Sequence, residues 1–88
     1  MREYTIEIDT RTFEKIWNIK INYVVIPLSS YFKIGDKFNI IPKSTDNSGQ
    51  QNKCVETVIR DVCYSHENIK AGMCIINFIH KRTKFLSL

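Results

Sequence analysis

The chain has no apolar run that approaches the roughly 20 residues of a membrane-spanning helix. Its first residues, Met1 to Thr5, also lack the apolar stretch of a signal peptide. There is no internal repeat, and the polar segment 43–53 is the one tract of biased composition, typical of a hairpin loop. These absences predict a cytoplasmic protein with no membrane partner.

Cysteine is also scarce and is not arranged for cross-linking or metal binding. The three cysteines form no CxxC pair and lie in segments rich in β-branched residues: Cys54, Cys63 and Cys74. An odd count without close pairs argues against a disulfide framework and against a zinc site. We therefore expect reduced, mostly buried thiols, and neither a metal nor a cofactor.

The size and composition indicate one soluble domain. A chain of 88 residues can fill one hydrophobic core, so we expect a single domain over residues 1–88. The apolar fraction is 43% and the charged fraction 25%, values at which a packed core forms. A net charge of +4 permits a polyanionic partner without requiring one.

The first part of the chain predicts a strand and then a short helix. Residues 4–9 alternate apolar and polar side chains, the period of a half-buried strand. Asp9 and Thr10 are candidate N-caps of the helix that follows. Apolar residues then recur at helical spacing, which places one face of the helix in the core: Phe13, Ile16 and Trp17.

Four more strands are predicted, at residues 20–26, 37–41, 54–64 and 73–79. Gly35 and Asp36 supply the turn before the third strand, because glycine takes positive φ and aspartate accepts hydrogen bonds from nearby amides. The fourth strand breaks strict alternation and should contain a bulge. The last is expected to end at residue 79, leaving residues 80–88 as a basic and apolar tail.

The predicted element order is βαββββ. Five short strands would leave exposed edges in an open sheet, so closure into a small barrel plugged by the helix is favoured. The predicted fold class is α+β, mostly β: a small five-stranded pseudobarrel with one short helix after the first strand.

Short motifs give the chain a resemblance to the ASCH group of the PUA-like superfamily. The segment Phe32-Lys33-Ile34-Gly35-Asp36 is similar to the family's turn before a strand, and Asn18-Ile19-Lys20 is similar to a preceding motif that contains a lysine. Residues 67–73 resemble the approach to the final strand. The resemblance implies a PUA-like pseudobarrel with a cleft suited to RNA or modified nucleosides.

Some small ASCH proteins hydrolyse acylated cytidine, so the resemblance also offers an amidohydrolase as an alternative. Lys20 matches the family's lysine, Tyr23 falls near its threonine and Glu67 near its glutamate. Because this set departs from the family pattern, a non-catalytic protein is preferred. If the chain is an enzyme, these three residues are its predicted catalytic groups.

RNA binding is the preferred function because cations and one aromatic residue recur in predicted loops and strand ends. Cations neutralise phosphates, and an exposed ring can stack a base. The predicted nucleic-acid-binding residues are Lys20, Tyr31, Lys33, Lys37, Lys43, Lys53, Lys81, Arg82 and Lys84.

A third hypothesis is a small protein-binding inhibitor or adaptor, a use that also fits a viral accessory protein of this size. Its interface would include the segment 28–32 and the apolar tail 85–88, since exposed apolar groups often mark contacts. The same tail could instead pair strands in a homodimer.

Overall fold

A computed structural model of the protein describes residues 2–27, 32–43, 52–63 and 72–85. These residues form five strands and one helix, in the order predicted from the sequence. Their bounds are β1 Glu3–Ile8, α1 Thr10–Trp17, β2 Tyr23–Pro27, β3 Lys37–Pro42, β4 Lys53–Cys63 and β5 Met73–Phe85. The α+β, mostly β fold class is thereby confirmed.

The five strands form one curled sheet in the order β1-β3-β4-β5-β2, which makes a half-barrel. β1 is parallel to β3, and the other three pairs of neighbouring strands are antiparallel. The predicted closure is therefore incomplete, because β1 and β2 are the two edges of the sheet. No described helix has the length and apolar character needed to cross a membrane.

α1 begins where the sequence predicts. Asp9 is the N-cap, and its carboxylate accepts hydrogen bonds from the Thr12 backbone N–H at 2.9 Å and from the Thr12 hydroxyl at 3.0 Å. These bonds lower the pKa of the Asp9 carboxyl. Phe13 and Ile16 are fully buried, and Trp17 packs at the edge of the core.

The inner face of the sheet carries the core. Each strand turns alternate side chains inward, where they meet the buried face of α1. The largest fully buried hydrophobic side chains are Phe13, Phe38, Phe78, Ile16, Ile40, Ile59, Ile76 and Val55. The outer face is the side opposite α1, and it carries the polar alternate residues.

The turn before β3 forms as predicted. Gly35 has φ of 94°, in the region that favours glycine, and its N–H donates to the Ile59 carbonyl at 2.8 Å. The buried Asp36 carboxylate accepts from the backbone N–H groups of Arg2 at 3.0 Å and Lys33 at 3.2 Å. The Arg2 N–H holds the pKa of Asp36 below its usual value.

β4 is irregular, as its sequence predicts, and its pairing with β5 explains why. The register shifts between Glu56 and Thr57 and again between Ile59 and Asp61. At the first shift the extra residue is Lys81, which belongs to β5. At the second shift Ile59 pairs with Phe78 and Asp61 with Asn77, so Arg60 is the extra residue on β4. The bulge predicted in β4 therefore lies at Arg60.

The predicted tail at residues 80–88 is wrong for residues 80–85. β5 continues to Phe85, and its basic residues pair with the first half of β4: Arg82 lies opposite Glu56, and Lys84 lies opposite Cys54. The run of apolar residues ends at Ile79 because the outward-facing residues of β5 after it are polar. The strand itself continues. Residues 86–88 lie outside the described residues.

Cys54 and Cys74 are buried and Cys63 is half-buried, and no disulfide joins any two of the three. Burial raises the pKa of the Cys54 and Cys74 thiols.

Candidate nucleic-acid interface

Four of the predicted cations meet on the outer face. Lys37 projects from β3, and Lys81, Arg82 and Lys84 project from β5, on the two sides of β4. Lys37 and Lys81 line the same shallow cavity, of about 80 Å³, together with Glu56. We call Lys37, Lys81, Arg82 and Lys84 the cationic cluster.

Glu56 lies at the centre of the cationic cluster and holds two of its members. The Arg82 guanidinium donates through Nε to one carboxylate oxygen of Glu56, and the Lys84 ammonium donates to the other at 2.9 Å. The hydrogen bonds from Arg82 and Lys84 lower the pKa of Glu56 to about 2. Glu56 is therefore ionised at neutral pH, and it positions both cations on the outer face.

The cluster keeps an excess of positive charge. Its four cations surround one carboxylate, and the Arg82 side chain is 67% exposed. A guanidinium has five N–H donors, so the ion pair with Glu56 leaves donors for a second anion. Glu3 on β1 lies directly opposite Lys37, and its carboxylate accepts a hydrogen bond from the Asn39 amide at 2.8 Å, so two carboxylates lie against the four cations.

An exposed aromatic residue lies at the β2 edge of the sheet, where it also lines a cavity with residues of α1. Tyr23 on β2 is 45% exposed and lies opposite Asn77 on β5. Lys81 follows Asn77 by four residues, a distance of roughly 13 Å along a strand. Val25 and Ile79 are also about half exposed, and they extend the apolar surface around Tyr23.

The other predicted cations do not join the cluster. The Lys53 ammonium lies 4.8 Å from the centre of the Trp17 ring, on the helix side of the sheet. Lys20 is exposed just after α1, where its N–H donates to the Lys15 carbonyl at 2.8 Å. Convergence of the predicted set on one surface is therefore wrong for Lys53.

Lys33 and Lys43 lie at the two ends of β3. Lys33 is in the turn before the strand, and the Lys43 N–H donates to the Ile8 carbonyl at 2.9 Å just after it. Both residues are exposed. Tyr31, predicted to contact a base, lies outside the described residues.

The predicted catalytic set is not assembled by the described residues. Tyr23 lines a cavity of about 280 Å³ with Asp9, Thr12 and Lys15, among other residues, and Lys20 is not part of this lining. Glu67 lies outside the described residues. The amidohydrolase alternative stays a prediction without structural support.

The interface predicted for protein binding is partly visible. Phe32 is buried and packs edge-on against Phe38, with ring centres 5.8 Å apart, so it is a core residue. Phe85 is 66% exposed and contacts Trp17 edge-on at 5.6 Å between ring centres. Residues 28–31 and 86–88 lie outside the described part of the chain.

Glu56 is not among the predicted site residues, and Tyr23 is predicted only as a catalytic group, not as a residue of a nucleic-acid interface. No local motif marks either one, because their neighbours come from other strands. Within the four described ranges, no three potential metal ligands lie together. No protein-family model matches the chain, and no curated protein matches it either. The ASCH resemblance stays a prediction.

Proposed function

We propose that the chain is a non-catalytic RNA-binding module that holds a single strand on the outer face of its sheet. The observation that carries the proposal is the cationic cluster, in which four side chains from two strands converge around one carboxylate. Phosphates bind such clusters mainly through charge, with release of counterions. A net charge of +4 supports the same partner.

The rest of the outer face supports a single strand rather than a duplex. An exposed sheet surface with an aromatic ring can stack an unpaired base while neighbouring cations hold the backbone. Tyr23 supplies the ring, and Asn77 beside it supplies an amide that can donate to a base edge and accept from one. In base-paired RNA each base is stacked between its neighbours, so a duplex exposes no base faces along its length on which Tyr23 could stack.

Salt dependence tests the proposal. Affinity for a single-stranded RNA of 12 nucleotides should fall between 50 and 200 mM salt, with a log–log slope of about −2.8 for four phosphate contacts. The double variant Lys37→Gln/Lys81→Gln should bind more weakly and lose about half of that slope. Fluorescence anisotropy with labelled RNA measures both quantities.

The control is Lys20→Gln/Lys53→Gln, which removes the same charge from two lysines that are not members of the cationic cluster. It should keep most of the slope, and thermal unfolding would confirm that both variants are folded. Absence of binding at 50 mM salt, or equal losses in the two double variants, would show that the cationic cluster is not an RNA site.

A further inference from the structure

The half-barrel has an open seam between its two edge strands. β1 pairs with β3, and β2 pairs with β5. Within the described residues, no strand pairs with the other side of β1 or with the other side of β2. Two cavities lie along this seam. One, of about 280 Å³, is lined in part by Ile8, Asp9 and Tyr23, and the other, of about 330 Å³, is lined by Ile6, Glu7, Ile26 and Pro27.

The backbone of β1 offers hydrogen-bonding groups to the seam. The carbonyls of Arg2 and Ile8 accept from the N–H groups of Lys37 and Lys43, so even-numbered residues of β1 point toward β3. Successive residues of a strand point in opposite directions within the sheet plane. The N–H and C=O groups of residues 3, 5 and 7 therefore point into the seam.

β2 offers the matching groups from the other side. The Phe78 N–H donates to the Asn22 carbonyl at 2.9 Å, so the backbone of Asn22 and of alternate residues after it points toward β5. The groups of Tyr23 and Val25 point into the seam, with the Pro27 carbonyl beyond them. Free groups of this kind on sheet edges bind extended peptides by adding a strand.

The side chains beside the seam specify what such a peptide would contain. On the inner side, Ile6 and Ile26 line the larger cavity and offer an apolar wall. Glu7 on β1 lines the same cavity, and Val25 on β2, which lines the smaller one, is 48% exposed. A long basic side chain fits between these two, with its methylenes on Val25 and its charge on Glu7.

The charges along the seam favour the same occupant. The residues that line the two cavities carry two carboxylates, Glu7 and Asp9, against one ammonium, Lys15. Lys43 also acts on the Asp9 carboxylate, and the Glu3 carboxylate is hydrogen-bonded to an amide side chain of β3, away from the seam. Glu7 is therefore the carboxylate that the seam offers to a cation.

We propose that the seam binds an extended peptide segment in which aliphatic and basic residues alternate. The aliphatic side chains enter the half-barrel, the basic side chains lie along Glu7, and the peptide backbone pairs with both edge strands. Binding of this kind completes the barrel. It does not depend on RNA binding by the cationic cluster.

A labelled, end-blocked octapeptide of alternating Val and Lys tests the proposal on the full chain. It should bind in a fluorescence anisotropy titration, whereas a peptide with four Val followed by four Lys and an alternating Val-Glu peptide should bind at least tenfold more weakly. In hydrogen exchange followed by NMR, the peptide should protect the amides of Thr5, Glu7, Tyr23 and Val25.

Glu7→Lys should weaken binding of the alternating Val-Lys peptide by about three- to tenfold, because it replaces an opposite-charge pair with a like-charge pair. Asp61→Lys is the matched control, since it makes the same charge change on an exposed residue of β4, away from both edges. Equal binding of the block peptide, equal effects of the two variants, or unprotected seam amides would each overturn the proposal.

Discussion

Glu56 on β4 lies directly opposite Arg82 on β5, and the Arg82 guanidinium donates to the Glu56 carboxylate across the strand pair. Lys84 completes the arrangement by donating to the second oxygen. A carboxylate held by two cations occupies a place where a phosphate could also bind. Glu56 is thus both the residue that positions the cations and a competitor of any anionic ligand.

Glu56→Gln should therefore strengthen RNA binding. The amide leaves Arg82 and Lys84 without an anionic partner, so we expect about a threefold gain in affinity at 50 mM salt. Anisotropy with the 12-nucleotide RNA measures the change. Glu7→Gln, which removes the same charge two strands away, should alter affinity less. A loss of affinity in Glu56→Gln would mean that Glu56 helps RNA binding by positioning Arg82 and Lys84 more than it hinders binding by competing with phosphate.

Acid should destabilise the protein partly through Glu56. The pKa of this carboxyl is about 2 in the folded state against an ordinary value of 4.5. When the pKa of a carboxyl is lower in the folded state than in the unfolded state, its ionised form stabilises the fold. This contribution is present in full above about pH 4.5 and is lost as the pH falls toward 2. Urea unfolding from pH 7 to pH 2.5 should show a shallower decline in Glu56→Gln than in the wild type.

Some decline should remain in that variant, because the pKa values of Asp9 and Asp36 are also lowered in the folded state. The two curves should converge at the acid end of the range. Parallel curves for the wild type and Glu56→Gln would show that the ion pairs with Arg82 and Lys84 do not form in solution.

The buried hydroxyl of Thr57 should contribute to stability. It donates to the Phe38 carbonyl at 2.6 Å and ties β4 to β3 inside the core. Thr57→Val keeps the shape but removes the donor, so the free energy of unfolding should fall by about 1–2 kcal/mol. Chemical denaturation measures this. Thr83→Val, the same change at an exposed position on β5, should stay within about 0.5 kcal/mol of the wild type.

The cysteines should differ in reactivity toward a thiol reagent such as dithionitrobenzoate. Cys54 and Cys74 are buried, and burial raises the pKa of both thiols, whereas Cys63 is half-buried. We expect one fast reaction and two slow ones in the folded protein, and three fast ones in denaturant. Cys63→Ser should abolish the fast phase. A fast phase that survives this substitution would place an accessible thiol at Cys54 or Cys74.

The cationic cluster was only partly predictable. The run Lys81, Arg82 and Lys84 is visible in the sequence, but its pairing with Glu56 depends on the register of β4 against β5. Lys37 joins the cluster because β3 lies beside β4. Lys53 is excluded because its side chain packs against Trp17 on the helix side. In a bulged strand, the face on which a side chain lies cannot be found by counting residues along the sequence, since each bulge reverses the alternation of inward and outward side chains.

The local structure could be predicted from the residues alone: the alternating β1, the helix capped by Asp9, the Gly35 and Asp36 turn, and the irregular β4. These features depend on side-chain period and on backbone preferences within a few residues. Three other features emerge only from the folded chain: β5 runs to Phe85, β1 pairs in parallel with β3, and a seam remains between β1 and β2. Strand pairing joins residues far apart in the chain, so its outcome depends on how all five strands bury their apolar faces together.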